Sequence, residues 1–376
     1  MLPTQYFCSV QATRLQIENF LKQASNGIVV DVRSPDEYKH AHIPGAVSLP
    51  LFSNEERKLV GTAYKQQSRE VAIKIGLDFF GPKMKPIVEA VEKMVHDWHA
   101  KKENATSTKP AVCVYCWRGG MRSGAISWLL NLYGFDVYTL AGGYKAFRNH
   151  TLRIFATPLP IKILAGYTGS GKTELLQALA TKGEHVIDLE GLAGHKGSAF
   201  GNLLLTPQPT QEMFENQLGC VLAKFIQKHG NENEVSADAL SYIWLEDESQ
   251  RIGNLNIPHT LWAQMRSAPI FFVDIPFDER LKFIVSQYGV YNVMELQQAT
   301  LRISKRLGGL ETKNTMAYFE EGNITEAFRI LLRYYDKQYS KGLHNRQNLS
   351  ALLTTIQAET VSLSNAALLT NQYQSL

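Results

Sequence analysis

The spacing of apolar residues changes repeatedly along the chain, and those changes divide it. From about residue 10 to 150, short apolar runs alternate with stretches in which apolar positions recur every three or four residues, the signature of strands followed by helices. VCVY (residues 112–115) reads as a buried strand, and SGAISWLLNLYGF (residues 123–135) as the helix that covers it. The segment ATPLP, with prolines at 158 and 160, marks a joint. Beyond it IKILAG opens a new strand at Ile161. The helical ELLQALATKG and the runs HVIDLE, SYIWLE and IFFVDI then repeat the alternation, which calls for a parallel sheet. Past residue 310 the pattern is helical, and the tail NLSALLTTIQAETVSLSNAALLTNQYQSL lacks both glycine and proline. The expectation is an α/β protein with domains over 1–150 and 158–310 and a helical C-terminal extension over 311–376.

Composition narrows the class. With 376 residues, 44% of them hydrophobic, the chain can bury more than one core. No apolar run approaches a membrane span, and the first twenty residues lack a basic segment followed by an apolar one, so a cytoplasmic protein with no membrane partner is expected. The four cysteines, at 8, 113, 116 and 220, make no disulfide framework and are expected as thiols. A formal charge of +4 permits a nucleic-acid partner without requiring one.

The segment CVYCWRGGMRSG places Cys116 at a strand-to-helix turn. Backbone N–H groups and a helix N-terminus there create a field that holds anions and favours thiolate over thiol. Cys116 is therefore the candidate nucleophile, with Trp117, Arg118, Gly119, Gly120, Met121, Arg122 and Ser123 forming an anion loop around it. Cys113 falls inside the strand, and no second CxxC or HxxxH completes a metal shell, so no metal site is expected.

A second cradle follows fifty residues on. Gly166-Tyr-Thr-Gly-Ser-Gly-Lys-Thr173 satisfies G-x-x-x-x-G-K-[ST] and lies between an apolar strand and a helix. Gly166, Gly169, Ser170 and Gly171 would present N–H groups to a diphosphate, Lys172 would neutralise it, and Thr173 would hold Mg²⁺ if a metal is used. Three sets of carboxylates compete to complete this site: Asp188 with Glu190, Glu246 with Asp247 and Glu248, and Asp274. Each could equally cap a helix. The loop GHKGSAFG contributes His195, Lys196 and Ser198 as candidate ligand contacts, and Arg251, Arg302 and Arg306 are further candidates. Arg329, Arg333, Lys337 and Lys341 recur every four residues on an expected helix, a stripe that suits either RNA phosphates or plain solvation, with Tyr334, Tyr335 and Tyr339 interleaved.

The first 150 residues resemble the rhodanese domain through VVDVRSPDEYKHAHIPGAVSLP, YCWRGGMRSG and LAGGYKAF. That resemblance implies that Cys116 carries sulfur or selenium. Cys116 to Arg122 spans seven residues, longer than is usual in sulfur-carrying members and matching the Cys-x5-Arg loop of phosphatases on the same fold, although Tyr115 stands where many of those have histidine. The fusion of this domain to a P-loop domain, with LFSNEERKLVGTAYKQ, DLEGLAGHKGSAFG, EDESQRIG and SKRLGG, resembles the tRNA 2-selenouridine synthases from about residue 15 to 340.

Membership would imply a transferase that S-geranylates wobble 2-thiouridine from geranyl diphosphate and then replaces the geranylthio group with selenium from selenophosphate. It would also imply tRNA, through its anticodon loop, and a selenophosphate-producing enzyme as partners, with no tightly bound cofactor. Two other readings compete: an NTP-dependent sulfurtransferase or Cys-loop phosphatase, and a nucleotide-gated RNA-binding module with a sensor cysteine.

Overall fold

The computed structural model describes residues 12–101, 110–195, 207–229 and 242–373. The chain divides into two compact units, Met1–Ile154 and Phe155–Leu376.

The first unit holds a five-stranded sheet of β1 (Thr13–Leu15), β2 (Gly27–Asp31), β3 (Val47–Ser48), β4 (Ala111–Tyr115) and β5 (Val137–Leu140). The order is β1-β5-β4-β2-β3 and every pairing is parallel. β2 and β4 are central and read as unbroken apolar runs because helices cover both faces of the sheet. Val30, Val32, Val112, Val114, Ile126 and Leu130 form the centre of its core. The helix after β4 runs from Met121 to Tyr133 and ends on Gly134, whose φ of 104° is the left-handed stop that glycine favours.

The second unit has strands β6 (Ile161–Ala165), β7 (His185–Ile187) and β8 (Ile243–Glu246), a short hairpin of β9 (Arg251–Ile252) and β10 (Leu255–Asn256), then β11 (Ile270–Asp274) and β12 (Leu353–Gln357). The main sheet runs β12-β11-β6-β8-β7, again parallel throughout. β6 sits in the middle, so the glycine loop that follows it opens at the carboxyl end of the sheet, where ligands bind in α/β folds. Helices Phe277–Tyr288, Val293–Leu307, Gly309–Glu320 and Ile324–His344 pack together around Leu296, Phe319, Phe328 and Leu331.

The C-terminal part departs from the expected helical extension. Residues 353–357 form β12, paired with β11 from Ile270↔Leu353 to Asp274↔Gln357, and belong to the same unit as the P-loop. Leu-Thr-Thr-Ile-Gln carries β-branched residues, and Ile356 is buried in the core beside Leu164 and Val273. The absence of glycine and proline made the tail look uniformly helical, but neither is needed to begin a strand at a sheet edge. Among the described residues, no helix is long and apolar enough to cross a membrane.

Candidate functional site

In the first unit, Cys116 sits just past the end of β4, with its side chain buried at 3% exposure. Its Sγ lies 3.2 Å from Ser123 Oγ and accepts the N–H of Gly120 at 3.3 Å. Burial alone would raise the thiol pKa. The hydrogen bonds from Ser123 and Gly120, with Arg122 nearby, outweigh that effect and lower it. Cys113, three residues earlier and fully buried in β4, is pushed up to about 12 by burial and by Asp136, which leaves it inert.

The loop is held from below and behind. The turn Gly142-Gly143 lies against it, with Tyr144 and Lys145 donating backbone N–H groups to the carbonyls of Cys116 and Trp117 at 2.8 and 3.1 Å. A Cβ on Gly143, whose φ is 59°, would strike the Cys116 carbonyl oxygen, so this close approach requires glycine. Below, Asp31 and Arg33 form a buried ion pair, Tyr115 donates to Asp31 Oδ2 at 2.7 Å, and the Arg33 guanidinium stacks 3.9 Å over Tyr144. Tyr115, at the position preceding Cys116, thus serves as a buried strut.

The two loop arginines differ. Arg122 donates to Glu37 Oε2 at 2.7 Å, and this pairing overcomes burial to hold the Glu37 carboxyl down at about 2. Arg118 is exposed, as are Trp117, Gly120 and Met121, whereas Gly119 is half-buried and Ser123 buried.

In the second unit the glycine loop leads from β6 into helix Lys172–Thr181. Gly169 and Gly171 have φ of 82° and 72°, and a Cβ on Gly169 would come within 2.9 Å of the Arg280 carbonyl oxygen. Arg280, 3% exposed, braces the loop by donating to the Thr168 carbonyl at 3.0 Å while paired with Asp336 at 2.8 and 2.9 Å. Tyr339 adds a second brace: its hydroxyl accepts the Gly166 N–H at 3.4 Å and donates to Asp247 Oδ2 at 2.7 Å. Ser170 is 1% exposed, and its hydroxyl has no hydrogen-bond partner among the described residues. Thr173 is half-buried at the start of the helix.

Lys172 Nζ lies 3.4 Å from Glu246 Oε1 and donates to the Gly166 carbonyl at 3.2 Å. Glu190, Glu246 and Glu248 each bring a carboxylate oxygen within 4.8 Å of the others. Burial lowers the Lys172 pKa, but the three carboxylates more than offset that and raise it. The carboxylates themselves are raised, first by burial and then by repulsion from neighbouring carboxylates, which for Glu246 are Asp188 and Asp247. Glu190 moves up to about 7, and Glu248, hydrogen-bonded to Glu190, sits well above its ordinary range.

Oxygen donors so close to a phosphate cradle are of the kind a hard divalent cation takes. The competing carboxylates differ in their partners. Asp188 accepts the Gly191 N–H at 2.8 Å and caps a short helix, Asp247 is tied to Arg346 and Tyr339, and Asp274 accepts from Gln357.

Other expected contacts are placed differently. His195 is 7% exposed with an unpartnered Nδ1, and its pKa is lowered by burial and by Arg302, so these two residues are neighbours. Lys196 and Ser198 lie outside the described residues. Arg251 bonds the Gly253 carbonyl at 2.8 Å within the β9–β10 turn, where its side chain stabilises the hairpin. Arg306 is exposed in the last turn of helix Val293–Leu307, where a cation complements the helix dipole.

The basic stripe lies on helix Ile324–His344 with Arg333, Lys337 and Lys341 exposed, but Arg329 is engaged by Glu326 and Asp278 at 3.0 and 3.1 Å. Sequence spacing could not show that Asp278, 51 positions earlier, would meet it. Arg280, Asp336 and the bracing role of Tyr339 could not be read from spacing either. The available signal was the polar Asp336, Tyr339 and Ser340 set beside the apolar face of one helix.

Comparison with known proteins agrees with this division. A family model described as the tRNA 2-selenouridine synthase AAA domain matches residues 159–364, and the rhodanese-like domain model matches residues 16–150. A tRNA 2-selenouridine synthase of Bdellovibrio bacteriovorus is 33% identical, covering 88% of this chain and 92% of the relative. The Shewanella denitrificans protein of the same name is 32% identical over 85% of this chain and 89% of its own, and the Cronobacter sakazakii one is 37% identical over 72% and 67%. With a rhodanese-like unit built around a low-pKa cysteine, a P-loop unit whose family model covers more than half the chain, and relatives aligned across both, this chain belongs to the tRNA 2-selenouridine synthase family.

Proposed function

We propose that the chain modifies wobble 2-thiouridine in tRNA in two steps, geranylation and then selenium exchange. The observation that carries this reading is the pairing, in one chain, of a thiolate-favouring anion loop with a diphosphate cradle lined by carboxylates. Phosphatase or sulfurtransferase chemistry would give no use to the second cradle without nucleotide turnover.

In the first step the thiouridine sulfur attacks C1 of geranyl diphosphate, a C–S bond forms, diphosphate leaves, and the base loses its N3 proton. Backbone N–H groups of Gly169 to Lys172 and the Lys172 ammonium receive the charge that develops on the departing diphosphate. The unpartnered Ser170 hydroxyl is a further donor of the right kind. Glu190, Glu246 and Glu248 would hold Mg²⁺, with the hydroxyl of Thr173, next to Lys172 in the chain, as a further oxygen donor, and the ion would supply charge neutralisation to the diphosphate oxygens.

In the second step selenophosphate occupies the Cys116 loop. Selenium adds at C2 and geranylthiol leaves with one proton; the Cys116 thiolate then takes the phosphoryl group from selenium, which releases 2-selenouridine, and water cleaves the S–P bond to free phosphate and the thiol. Geranylation converts a poor thiocarbonyl leaving group into a thioether sulfur that selenium can displace. The test is mass spectrometry of tRNA nucleosides after incubation with geranyl diphosphate, then separately with selenophosphate. S-geranyl-2-thiouridine is expected first and 2-selenouridine second. ATP-dependent products with neither nucleoside would overturn the reading.

A further inference from the structure

Beside Cys116 the first unit contains a cavity of about 1010 Å³ that the anion loop does not need. Ligand pockets of about 300 to 1,000 Å³ hold drug-sized molecules, whereas a selenophosphate fills only a corner of such a space. The helices Asn54–Gln66 and Arg69–Phe80 frame it. Its walls are Leu51, Phe52, Ala72, Ile73, Leu77 and Phe80, and Cys116, Trp117 and Met121 form the end next to the thiol. Leu77 and Met121 are 56% and 51% exposed, a clustering of uncovered apolar side chains on one surface. Around them Arg57, Lys58, Lys65 and Arg69 are exposed and line the same cavity.

An apolar basin with a basic rim and the Cys116 loop at its end fits a ligand with an apolar body, anionic flanks and a reacting atom between them. A bare anion would leave the apolar walls unused, and an unmodified anticodon loop offers no aliphatic group to fill them.

We infer that the cavity holds the geranyl chain of S-geranyl-2-thiouridine, with the reacting C2 facing the Cys116 loop and the rim cations on anticodon-loop phosphates. The inference rests on the two-step reading above and locates the second step's leaving group. It gives a physical reason for the order of events: burying the chain next to the selenium donor makes the alkylated base the better ligand, so the intermediate is retained for exchange.

Gly61 lines the cavity, and a Cβ there meets nothing within 4 Å, so Gly61→Trp starts from open space and is the variant chosen to occupy the cavity. The test measures binding of anticodon stem-loop RNAs carrying S-geranyl- or S-methyl-2-thiouridine to the full chain without selenophosphate. Wild type should prefer the geranyl RNA by about tenfold or more, as burial of several methylene groups implies. Gly61→Trp should abolish that preference, and Gly61→Ala should keep it. Leu77→Ser, at an exposed helix position, gives a second variant that should weaken the preference. Thermal unfolding checks that each variant is folded.

Equal binding of the two RNAs by wild type, or a preference that survives in both folded variants, would overturn the inference. So would loss of geranyl diphosphate binding in Gly61→Trp with the RNA preference intact, since the cavity would then belong to the donor. Conversion of S-geranyl RNA to selenouridine by wild type is scored separately. Its failure sinks the two-step reading, whereas conversion with an unchanged preference sinks only the placement of the chain.

Discussion

The two anion cradles are built from the same backbone device and charged in opposite senses. Each is a glycine-bearing loop between a parallel strand and a helix N-terminus. In the first, donors and a nearby arginine surround a buried sulfur and pull its pKa down. In the second, three carboxylates surround a buried lysine, raise its pKa, and are themselves raised. The first arrangement favours the ionised form of the loop cysteine. The second cannot be a comfortable anion site until its excess negative charge is balanced, which is what a divalent cation does. A common fold element therefore presents backbone N–H donors in both loops, and the side chains around it set the sign of the local charge.

The sharpest way to break this comparison is to remove the sulfur. Cys116→Ser should lower selenouridine formation by about 10³-fold or more, as loss of a nucleophile does elsewhere, while S-geranyl-2-thiouridine accumulates. Nucleoside mass spectrometry reads both products, and selenouridine at the wild-type rate would remove Cys116 from the chemistry. A smaller effect is expected from Lys172→Ala, which deletes a charge-assisted hydrogen bond of about 1.5 to 3 kcal/mol and should reduce kcat/KM for geranyl diphosphate accordingly. Steady-state kinetics with an unchanged value would exclude the P-loop from this step.

The pH profiles sharpen the contrast. Glu190 is raised to about 7, so it is protonated below that pH and ionised above it. Geranylation at limiting Mg²⁺ should rise with pH through about 7, because only the ionised carboxylate holds the cation. The Cys116 thiol is lowered, so selenium exchange should reach its plateau below the pH at which an ordinary cysteine ionises. Two superimposable profiles would erase the distinction drawn between the cradles.

The smallest effect concerns the basic stripe, which belongs to neither cradle. With Arg329 already paired, Lys337→Ala combined with Lys341→Ala is the fair test. It should weaken all substrate tRNAs alike and lower the salt slope by about 0.7 to 0.9 for each phosphate no longer neutralised. A slope that does not change returns the stripe to solvent.

Much of each cradle was legible because it is contiguous. Cys116 through Ser123 and Gly166 through Thr173 carry strand, glycines and helix start within about a dozen residues, and backbone geometry does the rest. The apolar periods likewise disclosed both parallel sheets. Other parts could not be read this way. Nothing local distinguishes Glu190, Glu246 and Glu248 from Asp188 or Asp274, since all five follow or end strands. Nor does local pattern say that Tyr339 and Asp336 will brace a loop some 170 positions earlier, or that residues 353–357 will return to the sheet.

The sequence alone therefore determined the two glycine loops, the place of Cys116 at a strand-to-helix turn and the α/β class, because these depend on neighbouring residues and on periods of two and 3.6 that a single segment can express. Tertiary structure decided which carboxylates meet, which arginine is already engaged and where an apolar cavity opens beside the thiol. Those outcomes depend on pairing side chains far apart in the chain, and only the burial of whole helices and strands against one another selects them.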